Sequence, residues 1–228
     1  MDQVKIATLN IQRIVSSVRV LQVIEYVRNK SLDIVALQEV CFNRMPASVT
    51  DYKLVSNPNP THGGTAFLYK SSLNLTTQKA TADGRLFICK LDQLVLVNVY
   101  APSGNMNARE RKIFFRSTMV PYLERLHNAV ILGDFNAVTR KGDRLEKGSR
   151  SGKPDRELKC AIDSFNLTDV WLHLRNSEDG HTRTGHNGSA RLDHIYVTSD
   201  VLPSVLDINI QEVSFTDHAC VHSVVAMP

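Results

Sequence analysis

No stretch of the 228 residues holds the roughly 18 to 20 consecutive apolar positions that a membrane-spanning helix requires, so no membrane partner is expected. The first ten residues, MDQVKIATLN, lack the basic and apolar regions of a secretory signal, which points to a soluble protein kept inside the cell. Cysteine is scarce. Cys41, Cys89, Cys160 and Cys220 lie far apart without a CxxC pair, which argues against a zinc knuckle or a dense disulfide framework and predicts reduced thiols. Fixed-period repeats, low-complexity tracts and linker-length turn clusters are also missing, so one domain spanning residues 1–228 is expected. What is present is core material: 43% of the chain is apolar.

A net charge of +4 gives a mild preference for anionic partners, and its distribution says more than its sum. Between Arg140 and Lys159, eight basic residues face four acidic ones, a local excess equal to that of the whole chain. A solvated surface accounts for such a run; contact with a phosphate backbone is the sharper reading.

Short β-branched runs alternate with longer stretches of helical spacing. Residues 4–9, 33–37, 65–69, 87–91, 94–100, 129–132, 167–172, 191–197, 205–213 and 220–225 have the length and composition of strands. Helices are predicted from a cap at Ser17 to Lys30, over 108–126 with Pro121 kinking or splitting it, and over 154–165 with proline in the first turn. Many strands with a few helices between them suggest layered sheets carrying helices on their outer faces.

Polar residues recur where these apolar strands end, a place where a scaffold holds side chains rigidly. Asn10 follows Leu9, Gln38 and Glu39 follow Leu37, Tyr100 follows Val99, and Asp134 and Asn136 follow Leu132. Asp193 lies in RLDHI, and Asp217 and His218 precede the last strand. Carboxylates and amides with one or two histidines suit a hard cation such as magnesium, with manganese as a substitute. Zinc is disfavoured by the lack of close His and Cys spacing.

Eight blocks in order, TLNIQ (8–12), DIVALQEV (33–40), GGTAFLY (63–69), LVNVYAPSG (96–104), ILGDFNAV (131–138), LTDVW (167–171), RLDHIYV (191–197) and TDHACV (216–221), resemble the endonuclease/exonuclease/phosphatase superfamily over nearly the whole chain. The resemblance implies an α/β fold, a four-layered sandwich of two mixed β-sheets packed face to face with helices outside. It also implies roles. Glu39 would bind the metal with Asn10 beside it and Asp217 as a further ligand; Asp134 would act as general base or general acid; Asn136 would place water and phosphate. His218 would bond a phosphate oxygen or assist proton transfer, with Asp193 fixing its tautomer, and Tyr100 and Ser103 would complete the phosphate pocket. Thr182 matches a phosphate-orienting threonine, with Thr184 as the alternative.

NVYAPSG and the short loop TGHNGSARLDHI are similar to the endonuclease domains of non-LTR retrotransposons. That resemblance implies a magnesium-dependent nickase acting on double-stranded chromosomal DNA. Its 3′-hydroxyl product would prime reverse transcription, within a polyprotein carrying a reverse transcriptase, in the nucleus and also the cytoplasm. Abasic-site endonucleases are the nearest rival, but their family usually has tryptophan where Arg183 follows Thr182 here. A second departure lies at Gln12 and Arg13, where the family often has Asn or Asp and then glycine; Arg13 would instead touch the DNA backbone. A binding module that keeps the fold without activity is the alternative from another class, disfavoured by the intact Glu39, Asp134, Asn136, Asp193 and His218. The loop 185–189 is expected to probe a DNA groove, reading shape as much as base edges.

Overall fold

The computed structural model describes residues 2–14, 16–104, 107–146, 153–176, 180–186 and 188–227. The strands, in chain order, are β1 (Gln3–Asn10), β2 (Ile34–Val40), β3 (Tyr52–Asn57), β4 (Gly64–Lys70), β5 (Leu75–Ala80), β6 (Leu86–Leu91), β7 (Leu94–Tyr100) and β8 (Ala129–Asp134). They continue as β9 (Arg144–Glu146), β10 (Thr168–Asp169), β11 (Arg183–Gly185), β12 (Gly188–Ala190), β13 (Asp193–Val197), β14 (Val205–Gln211) and β15 (Cys220–Ala226). The α-helices are α1 (Ser17–Asn29), α2 (Ala108–Ile113), α3 (Val120–Leu123), α4 (Arg156–Ser164) and α5 (Val170–Arg175).

Among the described residues the strands form two six-stranded sheets, β14-β15-β1-β2-β4-β3 and β10-β13-β8-β7-β6-β5, and a three-stranded sheet β11-β12-β9. Both large sheets are mixed, with parallel pairs at β1–β2 and β7–β8. Their facing sides bury Ile6, Phe67, Phe87, Leu96, Leu132 and Ile195 as one core. On the outer face of the first sheet, Val20, Val23, Ile24 and Val27 of α1 meet Leu9, Val35 and Leu37. On the outer face of the second, Phe114, Phe115, Leu158 and Ala161 meet Val97, Val99 and Ile131. These three apolar seams separate four layers, the α/β sandwich expected from the sequence.

Most strand runs fall where expected, and the exceptions have local causes. Residues 167–172 are not one strand: β10 is two residues long and α5 begins at Val170. The Asp169 carboxylate accepts from Leu172 N–H and caps that helix, while Val170 is buried in the inter-sheet core. Ser16, not Ser17, caps α1, accepting from Arg19 N–H. The 108–126 helix divides into α2, a wide π-type turn over Phe114–Met119, and α3, with Pro121 in the first turn of α3 where a missing N–H costs little. The strands β3, β5, β9, β11 and β12 were not foreseen; β5 is an edge strand exposed at all but its first residue, so it carries no apolar alternation. All four cysteines are unbridged. No described helix is long and apolar enough to cross a membrane. Of the basic 140–159 segment, Lys147 and Arg150 lie outside the described residues, as does Asn187 of the 185–189 loop.

Candidate active site

Parallel pairing of β1 with β2, and of β7 with β8, sets four strand ends side by side at one rim. Asn10 is in register with Gln38, and Tyr100 with Asp134. Antiparallel pairing of β13 with β8 then puts Asp193 opposite Asp134. A polar bridge crosses the two sheets beneath this rim: the buried Gln38 amide donates to Thr8 Oγ1 (3.0 Å) and Asn98 Oδ1 (2.8 Å), and Asn98 donates to the Leu37 and Ala66 carbonyls. Burial leaves these amides no water, so the bonds fix the spacing of the sheets where the site needs it.

Two backbone features aim the carboxylates. Gly133 passes so close to β7 that an added Cβ would lie 1.9 Å from the Val99 carbonyl oxygen, which restricts the position to glycine. Glu39 sits in a bulge between Gln38 and Val40 with φ +58°, its backbone pressed against Gly63 (φ +78°), where a Cβ would come within 2.7 Å. The bulge turns Glu39 out of the regular pleat.

The Asn10 amide nitrogen donates to Glu39 Oε1 (3.1 Å) and to Asp134 Oδ2 (2.9 Å), so one side chain ties the first sheet's carboxylate to the second's. Asp134 Oδ1 accepts from the Asn136 N–H (2.8 Å), and the Asn136 amide donates to Asp134 Oδ2 (3.2 Å) and the Ala101 carbonyl (3.0 Å). Asn136 takes φ +48°, a left-handed conformation that asparagine tolerates better than most residues. His218 Nδ1 lies 2.9 Å from Asp193 Oδ2; a carboxylate only accepts, so the proton is on Nδ1. Its Nε2 faces Asp217 Oδ1 at 3.6 Å and Asp134 Oδ2 at 4.0 Å. Glu39, Asn10, Asp134, Asp193 and His218, drawn from across the chain, therefore share one cluster.

Electrostatics follow from crowding like charges in a dry place. Burial raises the Asp134 carboxyl above the usual range, and the Asp193 charge adds to this against the opposing pull of His218 and the amide donors. Burial would lower His218, but the charge and hydrogen bond of Asp193, with Asp134 behind them, lift it to about 9. Tyr100 is raised by burial and then by the Glu39 and Asp134 charges, so its phenol stays protonated beside them.

Thr182 stands elsewhere than expected. Its hydroxyl donates to Asp193 Oδ2 (2.6 Å) and accepts from the Leu192 and Asp193 N–H groups, which saturates it and leaves nothing for a phosphate. It orients Asp193 instead, while Thr184 is exposed on β11. Asp217 is at the rim, its oxygens accepting from Gln12 Nε2 and Arg183 Nε, neither of which joins it to Glu39. Ser103 contributes its carbonyl, to Asn107, and among the described residues no bond links its hydroxyl to the cluster. Arg13 donates to the Thr61 and Pro60 carbonyls, lying along the 60–61 loop with its side chain exposed. The sequence reading missed Gln12 as partner of Asp217, Thr216, whose hydroxyl joins the Asn10 carbonyl to the His218 N–H, and Arg85, whose guanidinium lies over the Tyr100 ring at 5.2 Å. Thr216 was legible as part of TDHACV; Arg85 carried no signal.

The donor set fits a divalent cation. Ligand atoms of Asp134, Asp193 and His218 lie within 4.8 Å of one another, and Asp193 Oδ1 is buried without a hydrogen-bond partner. A buried carboxylate oxygen left over among like charges is stabilised by a cation or a proton.

Residues 7–218 match the Endonuclease/Exonuclease/phosphatase family. The Transposon TX1 uncharacterized 149 kDa protein of Xenopus laevis is 28% identical over 236 residues, covering 95% of this chain, which spans 18% of that protein's length. The AP endonuclease LMAP from Leishmania major superposes with a TM-score of 0.83 at 18% identity, covering 99% of this chain and 88% of that one. An AP endonuclease from Archaeoglobus fulgidus gives 0.80 at 18% identity, covering 98% and 100%. The 3′ phosphatase NExo from Neisseria, solved bound to a product DNA hairpin, gives 0.78 at 18% identity, covering 98% and 100%. At this identity the three structures show a common fold.

Proposed function

Because the chain belongs to the Endonuclease/Exonuclease/phosphatase family, we propose that it is a magnesium-dependent phosphodiesterase that nicks double-stranded DNA and leaves a 3′-hydroxyl. In this reading it is the endonuclease part of a non-LTR retrotransposon polyprotein with a reverse transcriptase, acting in the nucleus on target-primed reverse transcription. The observation that carries the chemistry is the Glu39–Asn10–Asp134–His218–Asp193 cluster. The retroelement assignment is supported by the transposon relative, aligned over nearly all of this chain.

Glu39, with Asn10 beside it, would hold the cation. When bound, the metal supplies charge neutralisation on the phosphodiester. The rest of the work falls to this chain's own groups. Asp134 has its proton affinity raised toward neutrality, which suits a group that takes a proton from the attacking water or returns one to the leaving oxygen. His218, held by Asp193 with its proton on Nδ1, turns Nε2 between Asp134 and Asp217, where the protonated ring donates to a phosphoryl oxygen. Asn136 fixes the Asp134 carboxylate and positions the water. Arg183 at the rim, the basic segment 140–159 and the 185–189 loop would meet the backbone and groove of the duplex.

A supercoiled plasmid assay tests this reading. Nicking with magnesium or manganese, abolished by EDTA and reduced to background in Asp134→Ala and His218→Ala proteins that still bind DNA, is expected. Polymerase extension from the nick reads the 3′-hydroxyl. A strong preference for an abasic duplex would replace the retroelement role with repair, and metal-independent binding without cleavage would make the protein a binding module.

A further inference from the structure

Residues 188–197 run as one extended segment that changes sheets: β12 belongs to the three-stranded sheet and β13, with Asp193, to a large one. The junction is Arg191 and Leu192. Leu192 is held by the second sheet, its carbonyl accepting from Phe135 N–H (2.9 Å). Arg191 is pinned from both sides. Its N–H donates to the Asp143 carbonyl (2.8 Å), extending the β9–β12 ladder by one pair beyond Arg144 and Ala190. Its Nε and Nη2 both donate to Asp143 Oδ1 (3.1 and 3.0 Å), and its Nη1 to Asp169 Oδ2 (2.7 Å) beside the edge of the large sheet. The guanidinium is 3% exposed, and Asp143 is itself fixed by the Arg140 N–H at 3.0 Å.

The β9–β12–β11 sheet carries the hairpin that the proposed function turns toward DNA. A cavity of about 270 Å³ lined by Arg144, Arg183, His186, Ser189 and Leu192 opens beside it. The hairpin is also tied to the surroundings of the catalytic pair by the Thr182 hydroxyl, by the Arg183–His218 bridge, and by the Thr184 N–H and the Arg183 guanidinium, which both bond Asp217. Of these contacts the Arg191 junction is the buried one that reaches β9. A planar guanidinium that offers Asp143 two nitrogens fixes the angle to β9; a lysine ammonium, as a point charge, does not.

We infer that Arg191, acting through Asp143, is a positioning residue that sets the β11–β12 hairpin at a fixed angle to the Asp193–His218 pair, and so governs which duplexes are nicked and not the cleavage chemistry. This rests on the proposed DNA-nicking function. The test compares the wild type with Asp143→Asn, Arg191→Lys and Asp169→Asn on two substrates. One is a random-sequence duplex pool with nick mapping; the other is bis(p-nitrophenyl) phosphate, a diester too small to reach the hairpin. For Asp143→Asn and Arg191→Lys, the preference among nick sites is expected to flatten about tenfold and the duplex KM to rise about fivefold, the scale of one lost positioning contact, with kcat on the small diester within about twofold. Asp169→Asn should lower thermal stability and keep the nick pattern. An unchanged pattern in Asp143→Asn, parallel losses on both substrates, or a pattern equally altered in Asp169→Asn would each overturn the inference. Wild-type protein that cleaves neither substrate would instead refute the proposed function.

Discussion

Two buried polar clusters flank the same strand, with one residue between their members Arg191 and Asp193. In the brace, two aspartates share a guanidinium, and burial's upward push on Asp169 is outweighed by the His194 imidazole 3.5 Å away and by Arg191, holding the carboxyl down to about 2. In the site, burial and the Asp193 charge drive Asp134 up, and Asp193 keeps an oxygen without a partner. The residue types are alike and so is the burial. The sign of the carboxylate shift separates them: in the brace both carboxylates are bonded to a shared guanidinium, whereas in the site Asp134 is pushed up by burial and the Asp193 charge and an Asp193 oxygen has no partner, and so the site is built to take something in.

The largest effects should come from cutting each cluster once. Asp134→Asn is expected to lower single-turnover nicking by about 10⁴-fold, the scale for one member of a catalytic unit. Its metal-free melting temperature should move little, because relief of a strained charge offsets the amide donors then facing an amide. Arg191→Met leaves two aspartates buried without a cation and should cost about 3–5 kcal/mol. In calorimetry that is a drop of roughly 10 °C for a chain of this size. A near-neutral Arg191→Met, or an Asp134→Asn protein that melts as early as it does, would erase the distinction.

The site was more legible in the sequence than the brace was, for a physical reason. Asn10, Glu39, Asp134 and Asp193 stand at or near the ends of apolar strands, where a polar residue has no packing reason to be, so pattern alone picks them out. Asp143, Asp169 and Arg191 are just as polar, but they follow short or irregular segments, and their pairing over 48 and 22 residues of chain depends on a sheet-switching junction that no periodicity records. Asp169 also lay in a run read as strand, where its capping role was hidden. Thr182 was placed in the right region and given the wrong task, since spacing reveals proximity but not which neighbour takes the hydroxyl's proton.

The clusters should also lose stability at opposite ends of the pH scale. Asp169 is depressed from 3.8 to about 2, so its contribution is present above the unfolded value and lost as pH falls through the folded one. His218 is raised from 6.5 to about 9, so its contribution is complete below 6.5 and lost as pH rises through 9. Each is on the order of 2–3 kcal/mol. In melts run in EDTA, Asp169→Asn should flatten the acid limb alone and His218→Gln the alkaline limb alone; a variant that flattens the opposite limb would mean the charges are not partitioned as described.

The smallest effect is the most specific to the idea of an unfilled site. A cation that binds the folded state stabilises it by mass action, about 1.4 kcal/mol at tenfold its Kd. For a domain of this size that corresponds to roughly 3–6 °C. Magnesium or manganese should therefore raise the wild-type melting temperature over an EDTA control. Glu39→Gln should lose most of the rise, because it removes the half-exposed carboxylate at the mouth while leaving the buried bonds intact. Arg191→Lys should keep the rise, since the brace already carries its own cation and offers a second one nothing. An equal rise in Glu39→Gln would show that the ion binds elsewhere, and the contrast between a satisfied cluster and a receptive one would then fail at its own premise.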